Sequence, residues 1–285
     1  MVLSTWNLFY SKFDPIAFEI FFLKIHWYGI CYVVALVVAL FIAQYFLKHH
    51  KSYFGIDAKM LDSYFVWSEV GVILGARIGY VTIYGNGLSW DIFNPFDLDG
   101  NFVGIAGFSY HGGVIGFVFA SVMFCFYKKQ PIFSYLDLAT LCIPLAYVFG
   151  RIGNFLNQEL YGRIIDIDSK LTWIGILVDG HLRYPSQLFE AFFEGIVVFI
   201  IMLSVRRFCK KRGQLACVYG IAYALARFFC EYFREADAHM GYYAFNLSMG
   251  QILSVVMFVS CVLLLIAISR NASHYQHKEE QVCKK

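Results

Sequence analysis

Long apolar runs separated by short polar connections dominate this chain. Seven are long enough, or nearly so, to cross a hydrocarbon core that takes roughly 20 helical residues. They lie near 25–47, 61–84, 110–127, 132–150, 186–205, 214–233 and 248–269. The third and fourth are parted only by Lys128-Lys129-Gln130-Pro131, which predicts a tight helical hairpin. The expected architecture is therefore an all-α polytopic bundle of seven transmembrane helices. Residues 1–269 read as one integral-membrane domain, and 270–285 as a solvated tail.

Composition supports that pattern. Hydrophobic residues make up 59% of the chain and charged residues 15%, against about 25% charged in soluble domains. The mean hydropathy is +0.60. No long polar segment could fold as a second domain, and the N-terminus lacks the basic region and small-residue site of a removable signal peptide. Cys31, Cys125, Cys142, Cys209, Cys217, Cys230, Cys261 and Cys283 form no CxxC pair, so they read as small hydrophobes. Neither a disulfide framework nor a metal site is indicated, and no cofactor is expected.

Lysine and arginine placement sets the expected orientation. One side receives Lys48, Lys51, Lys59, Lys128, Lys129, the run Arg206 to Arg212, Arg270, Lys278, Lys284 and Lys285. The other receives fewer: Lys12, Lys24, Arg151, Arg163, Lys170, Arg183 and Arg234. The richer side is expected in the cytoplasm, which puts the N-terminus outside and the C-terminus inside.

Polar groups inside apolar spans are costly and point to function. Four clusters stand out, most of them toward the outer side. His111-Gly112-Gly113 opens the third span; its imidazole could serve as a base, with the glycines leaving room beside the ring, or it could be a helix-end structural histidine. The block Gly150 to Arg163 holds Arg151, Asn154, Asn157, Glu159 and Gly162, with Arg151 read at the end of the fourth helix. Gln187, Glu190 and Glu194 follow Pro185-Ser186 on one helix face, as a hydrogen-bonding stripe or as catalytic groups. Arg227, Glu231 and Arg234 fall at i, i+4 and i+7, so Glu231 is expected to hold one or both arginines. Tyr28, Glu69 and Arg77 complete the candidate polar interior. Gly71, Gly75 and Gly79 form a small-residue ridge, read as close helix packing.

Arg151 and Arg227 form a candidate anion site, and phosphate is the anion a bilayer supplies in quantity. That suggests transfer chemistry on a phospholipid, with guanidinium groups stabilising a departing phosphate. An anionic-lipid transporter or flippase would use the same arginines without chemistry. It should show polar groups through both leaflets and internal repeats, and neither is evident. A non-catalytic chaperone of secreted precursors leaves the arginine–histidine cluster without a task.

These motifs resemble those of the prolipoprotein diacylglyceryl transferase family. Gly150 to Gly162 fills every fixed position of the signature G-R-x-G-N-F-x-N-x-E-x-x-G. His111-Gly112-Gly113, Pro185-Ser186-Gln187-Leu188 and Arg227…Glu231…Arg234 stand in the expected order. The resemblance runs from about Tyr28 to Gln251. Tyr110, Val114 and Phe189 depart conservatively from the common pattern, and Glu235-Ala236-Asp237 lacks a usual proline.

The resemblance implies an inner-membrane enzyme with its site toward the periplasm. Its partners would be phosphatidylglycerol, the lipobox segment of a preprolipoprotein and membrane lipids, with no nucleic acid. It implies transfer of a diacylglyceryl group to the lipobox cysteine, as the first step of bacterial lipoprotein maturation. By position, Arg151 and Arg227 would grip the phosphate and His111 is a candidate base. Tyr28, Asn154, Asn157, Glu159, Gly162, Glu231 and Arg234 would bind or support. Whether His111, a glutamate or water takes the thiol proton stays open.

Overall fold

The structure is a computed structural model that describes residues 3–21, 23–84, 93–94, 107–166, 168–235, 243 and 247–283. For Leu23, Ile83, Tyr84, Tyr110, His111 and 271–283 it describes the backbone alone. In chain order the main elements are α1 (Phe9–Lys12), β1 (Ile16–Ile20), β2 (Leu23–His26), α2 (Trp27–His49), α3 (Lys51–Phe54), α4 (Ala58–Tyr84) and α5 (Tyr110–Lys128). There follow α6 (Ile132–Leu156), β3 (Ile176–Val178), β4 (His181–Arg183), α7 (Ser186–Val205), α8 (Gln214–Cys230) and α9 (Met249–Cys283).

Among the described residues, four helical stretches are long and apolar enough to cross a membrane: Trp27–His49, Ile132–Leu156, Ser186–Val205 and Met249–Arg270. The apolar parts of α5 and α8 are shorter, and α8 has 17 residues. Three expected boundaries move. α6 runs on to Leu156, so Arg151 and Asn154 lie within the helix rather than at its end. α8 stops at Cys230, so Arg234 is not on a helix. α9 continues past 269 to Cys283, so the expected tail is helical there.

The chain divides into two compact units. The unit Phe46–Leu136 is built on α4 and α5. A side chain at Gly75 would lie 2.7 Å from the Gly116 Cα, and one at Gly79 would lie 2.8 Å from the Gly112 Cα. Without a Cβ on either side the two backbones touch, and dispersion over that contact replaces the hydrophobic drive that lipid removes. The glycine ridge is thus a packing seam. Gly112 is pressed into the same seam, while the His111 ring, beside which room was expected, lies outside the described residues. Ser109 caps α5 by accepting from the Gly112 N–H at 3.3 Å. Arg77 donates to the Gly107 carbonyl at 3.1 Å. Tyr64, Phe124 and Tyr135 pack edge-on and tilted in the same unit, and the Tyr64 hydroxyl lies 2.9 Å from Ser121 Oγ.

The other unit takes the chain up to Tyr45 and from Asp137 onward. At one end Asp137 accepts from the Gly213 and Ala216 N–H groups at 2.7 and 2.9 Å, capping α8. Lys211 donates to the Ser269 carbonyl there, and Gln214 donates to its hydroxyl. The basic run Arg206–Arg212 and Arg270 therefore share an end. The opposite end carries the β3–β4 hairpin and the amino-terminal segment. Asn7 bonds the carbonyls of Thr172 and Gly175, Trp6 stacks on Phe155, and Tyr10, Phe155, Ile176 and Val178 form a small core. Burial drives the Tyr10 phenol well above its usual pKa, with neighbouring Tyr161 adding to the rise. Six cysteines are buried and Cys261 is partly so; the Cys283 side chain lies outside the described residues.

Candidate active site

Three features of α6 and α7 bring charge together. Pro144 sits inside α6 and removes one helical hydrogen bond. Gly195 on α7 packs over it: a Cβ there would lie 3.2 Å from the Pro144 carbonyl oxygen and collide with Val148. The segment Ala191–Val197 winds as a π-turn, a widened form concentrated at functional sites. Glu190 and Glu194 flank and occupy that turn and are 1% and 0% exposed.

Glu190 is the hub. Its Oε2 lies 2.9 Å from Arg151 Nε, and its Oε1 lies 3.2 Å from Arg227 Nη1 and 3.3 Å from Arg234 Nη1. Arg227 reaches Glu194 at 3.4 Å and Glu231 at 2.8 Å. The Tyr147 hydroxyl donates to Glu194 Oε2 at 2.6 Å and accepts from Arg151 Nε at 2.7 Å. Arg151 also donates to Asn154, one turn on, and Asn154 donates to Glu159 at 2.8 Å. Ser248 at the start of α9 donates to Glu231, whose carboxylate lies so close to Gly250 that a Cβ there would sit 2.6 Å from it.

Of the two arginines expected of it, Glu231 meets one. It holds Arg227, but Arg234 turns to Glu190 because the chain leaves α8 before it. Arg234 instead forms a β-bridge with Gly162, and Arg163 donates to the carbonyls of Phe233 and Arg234. Gly162 is required by this crossing: a Cβ would lie 2.6 Å from the Tyr184 carbonyl oxygen. Gly153 packs tightly on α2, where a Cβ would lie 3.1 Å from the Cys31 Cβ and 3.2 Å from the Tyr28 ring. Gly150 is different, with nothing within 4 Å of its Cβ position among the described residues.

Arg151, Asn154, Glu159, Arg227, Glu231 and Arg234 thus fall in one connected network, with Tyr28 reached through Gly153. Asn157 lies aside and meets His26 at 3.2 Å. The His111 side chain lies outside the described residues. The sequence reading left Tyr147 and Ser248 out, and it did not give Glu190 its central place. The stripe Gln187, Glu190, Glu194 was its one signal. An open hollow of ≈ 420 Å³ is lined by Tyr10, Lys12, Phe13, Asp14 and Gln158 and by none of these arginines, so it is not the charged site.

Three guanidinium groups pair directly with three carboxylates, Glu190, Glu194 and Glu231, and Glu159 joins the network through Asn154. The three paired carboxylates lie deeper, while the arginine side chains are 10%, 15% and 16% exposed. A guanidinium has five N–H groups. The described contacts use Nε and Nη1 of Arg151, the two Nη of Arg227, and Nη1 of Arg234. The outward N–H groups are the donors a bound anion would meet, on arginines whose inward atoms are locked.

Fold and site together define a membrane-embedded helical protein with an arginine–carboxylate network between α6, α7 and α8. The chain matches the prolipoprotein diacylglyceryl transferase family over residues 15–267, and it belongs to that family. It is 56% identical over 267 residues to a phosphatidylglycerol–prolipoprotein diacylglyceryl transferase of Helicobacter hepaticus, covering 92% of this chain and 91% of that one. A protein of the same name from Campylobacter hominis is 52% identical over 280 residues, covering 96% and 98%. Another from Campylobacter lari is 55% identical over 260 residues, covering 89% and 93%.

Proposed function

We propose that this protein transfers the diacylglyceryl group of phosphatidylglycerol to the lipobox cysteine of preprolipoproteins. The cysteine sulfur bonds to the glycerol carbon as the carbon–oxygen bond to phosphate breaks. The thiol proton passes to a base, and glycerol phosphate departs with the electron pair. A thiol reacts as thiolate and has an ordinary pKa of about 8.5, so a base or a positive field assists. The observation that carries this reading is the convergence of Arg151, Arg227 and Arg234 on buried Glu190. Donors fixed before the reaction stabilise a departing phosphate without reorganising.

Arg151 and Arg227 take the phosphate. Tyr28, Asn154, Asn157, Glu159, Gly162, Glu231 and Arg234 shape the surroundings, and His111 is the candidate base, with a glutamate or water as the alternatives. The helices α2 and α4 to α9 are seven transmembrane spans of one transferase domain reaching to residue 269. The end with Arg206–Arg212 and Arg270 faces the cytoplasm, with the residues from 270 as its tail. The network faces the periplasm from the inner membrane.

The test incubates purified protein with phosphatidylglycerol and a lipobox peptide and reads the peptide mass. A diacylglyceryl adduct is expected; folded protein that yields none overturns the reading. His111→Ala is expected to lose turnover, and full activity removes it from the mechanism. For orientation, cysteines introduced at Lys170 and Lys129 are exposed to an impermeant thiol reagent after permeabilising the outer membrane. Position 170 should react and 129 should not.

A further inference from the structure

We propose that Tyr147 and Glu194 are a positioning pair that closes a ring around the two phosphate arginines. The proposal rests on the function given above and adds two residues to it. Arg151 on α6 and Arg227 on α8 do not bond one another. They are joined first through Glu190, whose Oε2 lies 2.9 Å from Arg151 Nε as a charge contact and whose Oε1 accepts from Arg227 Nη1 at 3.2 Å. They are joined again through Tyr147 and Glu194, from the same Arg151 Nε to the same Arg227 Nη1. The circuit is Arg151, Glu190, Arg227, Glu194, Tyr147 and back.

One shared carboxylate acts as a pivot: it sets a distance but lets each guanidinium plane turn. A second bridge anchored on the same two nitrogens removes that rotation. The proton order is forced, because a guanidinium only donates. Tyr147 must accept from Arg151 and therefore gives its own proton to Glu194. The ring consumes inward N–H groups only, so the outward ones keep a fixed direction. Gly195 makes the bridge short enough, since it lets α7 close on α6 beside Glu194.

Orientation of the donors matters most when the carbon–oxygen bond is breaking, so the loss should appear in kcat. Tyr147→Phe is a clean probe. It keeps the ring under the Arg151 guanidinium at 4.8 Å and the edge contact with Tyr223, and removes only the hydroxyl. We expect kcat for transfer to fall about tenfold, the size of one buried hydrogen bond. KM for phosphatidylglycerol should move less than about twofold, and the thermal midpoint in detergent should hold. Glu194→Gln should fall similarly, and the double variant should be no slower than the slower single one.

Wild-type kcat in Tyr147→Phe overturns the ring, as does a change confined to KM or a double variant whose losses multiply. If Glu194→Gln does not fold, the Tyr147→Phe split between kcat and KM decides alone. A wild-type protein without transfer activity overturns the function itself. An active wild type with an equally active Tyr147→Phe overturns only this pair.

Discussion

The α4–α5 pair and the α6–α7–α8 end join helices by opposite means. In the first, Gly75 and Gly79 lie on Gly116 and Gly112, and backbone meets backbone. In the second, six charged side chains and a tyrosine fill the space between helices. Lipid tails are as apolar as leucine, so neither joint gains from hiding oil from water. The glycine seam gains dispersion from close approach and tolerates no added atom. The charged joint gains from pairing in a low dielectric and tolerates changes of shape, but not an uncompensated charge. One joint is suited to holding structure, the other to holding donors for a ligand.

Substitutions that swap these vulnerabilities test the contrast. Arg151→Ala should lower initial transfer rates by about 10²–10³, the range for removing one fixed donor from a charge-stabilising site. Glu190 keeps Arg227 and Arg234, so folded protein should persist. Should Arg151→Ala retain its rate per folded molecule, the charged joint is only glue. Gly75→Leu should do the reverse. The new side chain meets backbone that cannot turn aside, and overpacking of that kind costs about 1–3 kcal/mol or more. A lower thermal midpoint in detergent is expected, and an unchanged one removes the seam from the account. Ser248→Ala is the gentlest, since the Glu231 carboxylate loses one hydroxyl donor worth about 1.5 kcal/mol while keeping Arg227. Transfer should slow several-fold with stability nearly unchanged; a loss as large as that of Arg151→Ala would make Ser248 part of the clamp.

The glycine ridge was legible in advance because helical spacing is local: Gly71, Gly75 and Gly79 share a face wherever the helix goes. Arg151 was legible as unusual but misplaced. Gly150, Arg151 and Gly153 look like the end of a span, yet α6 continues because Glu190, Tyr147 and Asn154 supply partners to a guanidinium inside it. Arg227, Glu231 and Arg234 misled in a second way. Their spacing was read on one helix, whereas the bridge from Gly162 to Arg234 takes the last of them off it. Tyr147 gave no signal, being an aromatic residue within an apolar run.

The sequence by itself determined what depends on near neighbours: apolar runs of spanning length, the seam glycines, and a signature dense enough to assign a family. Only the tertiary structure decided which carboxylate serves which arginine. Glu190 gathers Arg151 from 39 residues before it and Arg227 and Arg234 from 37 and 44 after it. Partners at that separation meet only once helices are packed. A buried charge must then take whichever counter-charge the packing brings within reach.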